Sequence, residues 1–310
     1  MTTDPIPLTT TRDESALSPI EGARPRSRST RRGAWVGRFI RRKPLGAASA
    51  LVLLGLMLWS AAAPLFGASD PLMIDGRAAL QSPSLDHVFG TDNLGRDVYS
   101  RVAYGGRVSL TVGFGAVAIS LALATAIGVS SAYIGGWYDA ILQRIVDAIM
   151  ALPGLVLLLM LVALFGGGLW QVMFGIGLLA AFGASRVLRS SALSVSTSDY
   201  ILAAHALGAR DSWIMFRHIL PNLIGPMMVI ATLGLGSAVL AEASLSFLGF
   251  GVPEPHPSWG NMISGYGRQY LYQAPWMAIA PGIALTLAVF AFNALGDAVR
   301  DAIDPRMRGT

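Results

Sequence analysis

The chain is divided by the places where its charges are missing. An unpaired charge in hydrocarbon is costly and a helix needs about 20 apolar residues to cross a bilayer, so long uncharged runs predict spans. Pro44 to Ser69 is the first such run, and Val108 to Tyr138 is the second, trimmed to Tyr133 by Gly135-Gly136. Residues 148 to 185 contain no ionisable side chain. As one helix they would be about 57 Å long, nearly twice the hydrocarbon thickness, so Gly166-Gly167-Gly168 is read as breaking them into a hairpin. Two more spans follow at roughly Ile219 to Ala241 and Pro275 to Leu295. The pattern predicts an all-α membrane protein of six transmembrane helices, with both termini on one side.

Between the fourth and fifth spans the pattern changes. Residues 199 to 207, D-Y-I-L-A-A-H-A-L, are too short to cross, because nine helical residues reach about 14 Å. They predict a helix along the membrane face, with Ser198 or Asp199 as its N-cap and Gly208 as its stop. Beyond Ala209 and Arg210, Asp211 is placed to cap a second short helix that continues toward Pro221. Tyr200, Ala203, Ala204 and Leu207 share one face at i, i+3, i+4 and i+7. The two alanines admit a close neighbour, and the helix lacks the large apolar and basic side chains of one that lies on lipid, so a protein-docking knob is expected. On the other side of the membrane, Asp92-Asn93 and Gly95 predict a turn and Arg96 to Arg107 a short polar-faced helix.

Composition agrees with a bilayer as solvent: 53% of residues are hydrophobic and 13% charged. The net charge of +5 looks like a nucleic-acid signal until it is located. Residues 1 to 43 hold ten Arg/Lys against Asp4, Asp13, Glu14 and Glu21, while the remainder carries 13 basic and 14 acidic residues, so no nucleic-acid partner is expected. The first apolar run begins only after Arg41-Arg42-Lys43, which predicts a retained, disordered basic tail rather than a signal peptide. With that tail inside, the inside segments hold 18 of the 23 basic residues, and the outside ones only Arg77, Arg96, Arg101, Arg107 and Arg268. This bias predicts an N-in, C-in orientation. Trp35, Trp59, Trp137, Trp170, Trp213 and Trp276 lie near proposed span ends, as interfacial anchors should.

Several chemistries are missing. There are no cysteines, which removes disulfides, thiolate metal sites and cysteine nucleophiles. Lys43 is the only lysine and no G-x-x-x-x-G-K-[ST] exists, so this chain is not expected to hydrolyse nucleotide. His87, His205, His218 and His256 are scattered without metal-ligand spacing, and no G-x-S-x-G elbow occurs. Gly113, Gly115, Gly175, Gly177, Gly183, Gly234 and Gly236 lie inside apolar helices, where they are read as close-packing positions rather than a dinucleotide loop. A proton-coupled carrier needs acidic or histidine groups deep in its bundle, and five of the six spans have none. Glu242, after the fifth span, is open to three readings: facing substrate, bracing an outer gate, or sitting at the interface. With Phe247 and Asn293 it is a candidate for a translocation path or gate. Asn293 and Asp297 otherwise read as capping the last helix or pairing with Arg300.

A family resemblance is carried by A-A-H-A-L-G-A and R-H-I-L-P-N, residues 203 to 209 and 217 to 222. They resemble the E-A-A loop of binding-protein-dependent ABC importer permeases, whose coupling helix inserts into a cleft on the ATPase. Leu202 replaces the glutamate that names the motif, so the salt bridge of that glutamate is absent, and His218 stands where the family has an isoleucine. H-V-F-G-T-D-N-L-G-R-D-V-Y-S-R-V-A-Y-G-G-R-V-S-L (87 to 110), L-S-F-L-G-F-G-V-P-E-P-H-P-S-W-G (245 to 260) and F-N-A-L-G-D-A-V-R-D-A-I-D-P-R resemble the C-type permeases of the dipeptide/oligopeptide/nickel group.

The resemblance implies a type I ABC importer permease fold and a bacterial cytoplasmic membrane location. It also implies a homologous second permease, two ATPase subunits or domains that bind ATP and Mg, and an extracytoplasmic substrate-binding protein. No cofactor is expected in this chain. The implied coupling residues are Tyr200, Leu202, Ala203, Ala204, His205, Leu207, Gly208, Ala209, Arg210 and Asp211. Di- or oligopeptides are the expected cargo, with chelated nickel or glutathione-like tripeptides as alternatives and a secondary carrier as the more distant one. The expected organisation is a tail (1–43), a first span (44–69), an extracytoplasmic segment (70–107), a five-helix core (108–297) with the coupling loop at about 198–217, and a C-terminal tail (298–310).

Overall fold

The protein is described here by a computed structural model over residues 43–303. The expected basic tail, Lys43 excepted, and residues 304–310 lie outside the described residues. Within them the chain is helical, and the sole pairing of extended backbone is an isolated bridge between Thr91 and Asp97.

Helix α1 (Pro44–Ala61) begins with proline at its first turn, where no N–H is needed, and ends eight residues before the expected Ser69. Pro64 explains the stop, since it lacks a donor and its ring would collide with the carbonyl of Ser60. Arg107 takes up the loose end, donating to the carbonyls of Ser60 (2.6 Å) and Ala61 (2.9 Å).

Helix α2 (Val98–Ile134) is 37 residues long and is capped by Asp97, whose carboxylate accepts from the Ser100 amide. The separate helix expected at 96–107 is therefore corrected: from Val98 it is continuous with the helix of the second span. The charges that seemed to end the span are satisfied in place. Arg96 Nε donates to Asp92 (2.6 Å), Arg101 lies 3.7 Å from the same carboxylate, and Arg107 caps α1. They mark where hydrocarbon ends, not where the helix ends.

After two glycines at positive φ, Gly135 and Gly136, the chain forms α3 (Gly136–Met150) and α4 (Gly154–Phe165), bent by 90° across Ala151-Leu152-Pro153. Twelve residues of α4 reach only about 18 Å, so the third span is not one straight helix. Gly166–Gly168 then turns the chain into α5 (Leu169–Ser196), as the hairpin reading required. Two short helices follow, α6 (Asp199–Ala206) and α7 (Asp211–Ile214), the latter running on through a π-helical turn, Met215–Ile219, to Asn222. Helix α8 (Ile224–Phe247) starts later and ends later than the expected Ile219 to Ala241, which places Glu242 inside it.

The segment between α8 and the last helix carries α9 (Trp259–Ser264), started by a capping box between Ser258 and Asn261, and α10 (Tyr266–Gln269). The last helix, α11 (Trp276–Ile303), passes both Asn293 and Asp297, so neither caps it, and its end carries Asp301 in an ion pair with Lys43 at the start of α1. The first residues of the expected C-terminal tail are therefore helical.

Five helices (α1, α2, α5, α8 and α11) are long and apolar enough to cross a membrane, and the count reaches six if the bent pair is one span. Helix α2 is the common neighbour, packing against α1, α5, α8 and α11. Small residues set its closeness to α5. A Cβ on Gly177 would stand 2.7 Å from the Ala116 carbonyl, and one on Gly128 would stand 2.7 Å from that of Ser185. Such backbone approach is how helices associate where lipid is as apolar as leucine.

Candidate functional site

The short helices α6 and α7 are fixed to the bundle by their apolar undersides. Ile201, Ile214, Ile219 and Leu223 are buried with Val129, Ala132 and Ala192 from the ends of α2 and α5. A polar tie reinforces this floor: Tyr133, in the last turn of α2, donates from Oη to Asp211 (2.7 Å) and lies 3.4 Å from His205 Nε2, with the two rings stacked at 6.2 Å. His218 packs edge-on against Trp213 at 4.7 Å, filling the site where an isoleucine was expected.

The opposite surface is left open. Tyr200, Leu202, Ala203, His205, Gly208, Arg210 and Asp211 are exposed, Leu207 is 89% exposed, and Ala209 is partly covered. Ala204 differs from its predicted face-mates, being partly turned toward the buried floor. Gly208 has φ +79, a left-handed conformation that ends α6 without strain only for a residue lacking Cβ. The result is a firmly seated helix pair whose exposed surface mixes small, apolar and polar side chains.

A second cluster lies at the far end of α2. Glu242 is fully buried and accepts from Ser109 on α2 (3.1 Å), from Ser246 on its own helix (2.8 Å) and from Ser258 at the start of α9 (2.9 Å). Ser109 in turn accepts from the Trp259 amide (3.2 Å), and Trp259 donates from its ring to the Val102 carbonyl (2.9 Å). One carboxylate therefore clamps α2, α8 and the segment that starts α9 together. Phe247 and Asn293 are not part of this cluster. Phe247 projects outward, with the Arg268 guanidinium 5.6 Å from its ring centre, and Asn293 faces Gly236.

Residues 124–309 match the family described as "Binding-protein-dependent transport system inner membrane component". The chain belongs to that family. It is 38% identical over 269 residues to the dipeptide transport system permease protein DppC of Alkalihalophilus pseudofirmus, covering 87% of this chain and 88% of that one. A Brucella suis protein carrying a peptide permease name is 44% identical over 258 residues, covering 83% of this chain and 85% of its own. An inward-facing MetNI methionine ABC transporter shares the fold at a TM-score of 0.53 and 20% identity, over 66% of this chain and 96% of that chain. This binding-protein-dependent permease is accordingly a multi-pass membrane protein.

The permease also has a groove that the uncharged runs did not reveal. About 530 Å³ in volume, it is lined by α2, α4, α5 and α8, among them Ala116, Leu158, Leu179, Gly234 and Ser237. None of Glu242, Phe247 and Asn293 lines it, although Ala241 does. The available signal was the spacing Gly234, Ser237, Ala238, Ala241 at i, i+3, i+4 and i+7, which keeps one face of α8 low.

Proposed function

We propose that the chain is one of two permease subunits of a bacterial ATP-driven importer that carries di- or oligopeptides across the cytoplasmic membrane. The observation that carries this reading is the bare, firmly seated α6–α7 pair at one end of a membrane bundle whose relatives bear peptide permease names. In this reading the chain is non-catalytic. ATP and Mg are held by two partner ATPase subunits or domains, and a binding protein delivers substrate from outside. The charge bias of the loops supports both termini being cytoplasmic, with α6 and α7 on the same side.

Mechanistically, closure of the ATPases on nucleotide moves the α6–α7 knob, formed by Tyr200, Leu202, Ala203, Ala204, His205, Leu207, Gly208, Ala209, Arg210 and Asp211. The buried floor passes that movement to the ends of α2 and α5, and the bundle opens outward to take substrate. Hydrolysis resets it. Glu242 acts as the brace of the outer end, and the apolar groove of α2, α4, α5 and α8 is the candidate wall of the path.

Purification with associated subunits, followed by uptake of labelled peptides into vesicles with the binding protein supplied, tests the proposal. ATP-dependent peptide accumulation is expected. A purified chain that moves solute with no ATPase attached would instead be a secondary carrier.

A further inference from the structure

Helix α3 has two unlike faces. On one, Val146 is buried, Asp139 accepts from Arg189 Nε (2.7 Å) and Asp147 pairs with Arg186, both arginines lying on α5. The opposite arc is exposed: Trp137 is 76% exposed, Ile141 51% and Ile145 50%, with Ala148 and Arg144 also exposed between them. At 100° per residue these five positions fall within one arc on the side away from Val146.

The depth of α3 follows from its partners. Helices α4 and α5 form a hairpin, so the turn at Gly166–Gly168 marks one membrane boundary. Arg186 and Arg189 lie 17 and 20 residues along α5 from Leu169, or about 26 and 30 Å at 1.5 Å per residue, which is one hydrocarbon thickness. Helix α3 is therefore pinned at the opposite boundary. It also meets α4 at 90°, so it runs in the plane of the membrane while α4 runs through it. Beyond the bend, Val156, Met160 and Leu164 on α4 are exposed as well.

We propose that α3 is an in-plane anchor whose Trp137, Ile141 and Ile145 enter the acyl boundary of the leaflet nearest α6 and α7, with Arg144 on anionic lipid headgroups. Three observations select lipid: the depth, the apolar side chains exposed on both α3 and the adjoining α4, and the single arginine set within an apolar arc ending in tryptophan, a composition suited to the headgroup level. The anchor holds one end of α5 through the two ion pairs and so fixes the height of the helix that leads into α6.

This chain has no cysteine, so each substitution below gives it a single labelling site, used with partner subunits from which any cysteines have been removed. In the purified complex, Ile141→Cys and, separately, Ile145→Cys are labelled with a fluorophore in nanodiscs containing phosphatidylglycerol, with Met160→Cys as the deep reference and Leu85→Cys as the aqueous one. The two α3 labels are expected to be quenched at least threefold more strongly by lipids spin-labelled near the headgroup than by lipids labelled near the chain end, and to be shielded from iodide. Arg144→Glu is expected to remove the dependence of this quenching on phosphatidylglycerol. Iodide quenching equal to that at Leu85→Cys, or no quenching by either lipid because a protein partner covers the arc, overturns the proposal. Neither readout depends on transport, so failure here leaves the permease reading standing.

Discussion

Tyr133 donates a 2.7 Å hydrogen bond to Asp211, tying the last turn of α2 to the first turn of α7. An exposed bond of this kind contributes about 1 kcal/mol, yet it is a direct polar link between a span and the proposed coupling helices. Tyr133→Phe keeps the ring against His205 and removes only the hydroxyl. Peptide uptake per ATP hydrolysed is expected to fall about fivefold, with subunit composition unchanged. Equal uptake by the variant would show the bond to be incidental.

Gly208 holds φ +79 at the end of α6, and a Cβ added there would meet nothing within 4 Å, so any cost of substitution is conformational and not steric. Gly208→Val should cost about 1–2 kcal/mol locally and fray the α6 stop. The expected result is an assembled complex whose ATPase no longer responds to peptide, measured as the ratio of stimulated to basal hydrolysis. Retained stimulation would remove α6 from the coupling role.

Glu242→Ala would leave the hydroxyls of Ser109, Ser246 and Ser258 without their shared acceptor and open a cavity behind them. A loss of about 2–4 kcal/mol is expected, read as a lowered Tm of the detergent-solubilised complex. Glu242→Gln keeps an acceptor for two serines and a donor toward the third, so it should lose less than half as much. If both variants melt with the wild type, the Glu242 clamp is not structural.

Gly128→Leu would drive a side chain into the Ser185 carbonyl, where even a Cβ would stand at 2.7 Å. Since α2 and α5 can separate only by giving up their backbone approach, the yield of folded protein should drop at least tenfold, because overpacking of this kind costs about 3 kcal/mol or more. Gly154→Leu, at a position where an added Cβ would meet nothing within 4 Å, should express normally.

Where the fold could be read in advance, the physics was one-dimensional. The uncharged runs located all five long helices, and Gly166–Gly168 and Gly208 ended helices as expected, because a charge in hydrocarbon and a left-handed backbone are each costly whatever surrounds them. Where the reading missed, tertiary partners had cancelled a local cost. Arg101 and Arg107 lie inside α2 because Asp92 and the end of α1 receive them, and Asp139 and Asp147 extend α3 because Arg189 and Arg186 answer them. The exposed side of the α6–α7 pair was visible as a stripe, but its attachment was not: Ile201 and Tyr133 are ordinary until α2 and α6 are brought side by side. The burial of Glu242 was hidden for the same reason, since two of its three serine donors come from other elements.

The unbroken length of α2 has a mechanical consequence. Ser109 meets the Glu242 clamp and Tyr133 meets the α6–α7 pair, 24 residues apart on one helix, or about 36 Å at 1.5 Å per residue. A displacement of about 3 Å at one contact, taken up as rotation about the other, tilts such a rod by only about 5°. That is within what side chains absorb by sliding past one another, so the Tyr133 end of α2 has room to shift while the Ser109 contact stays made.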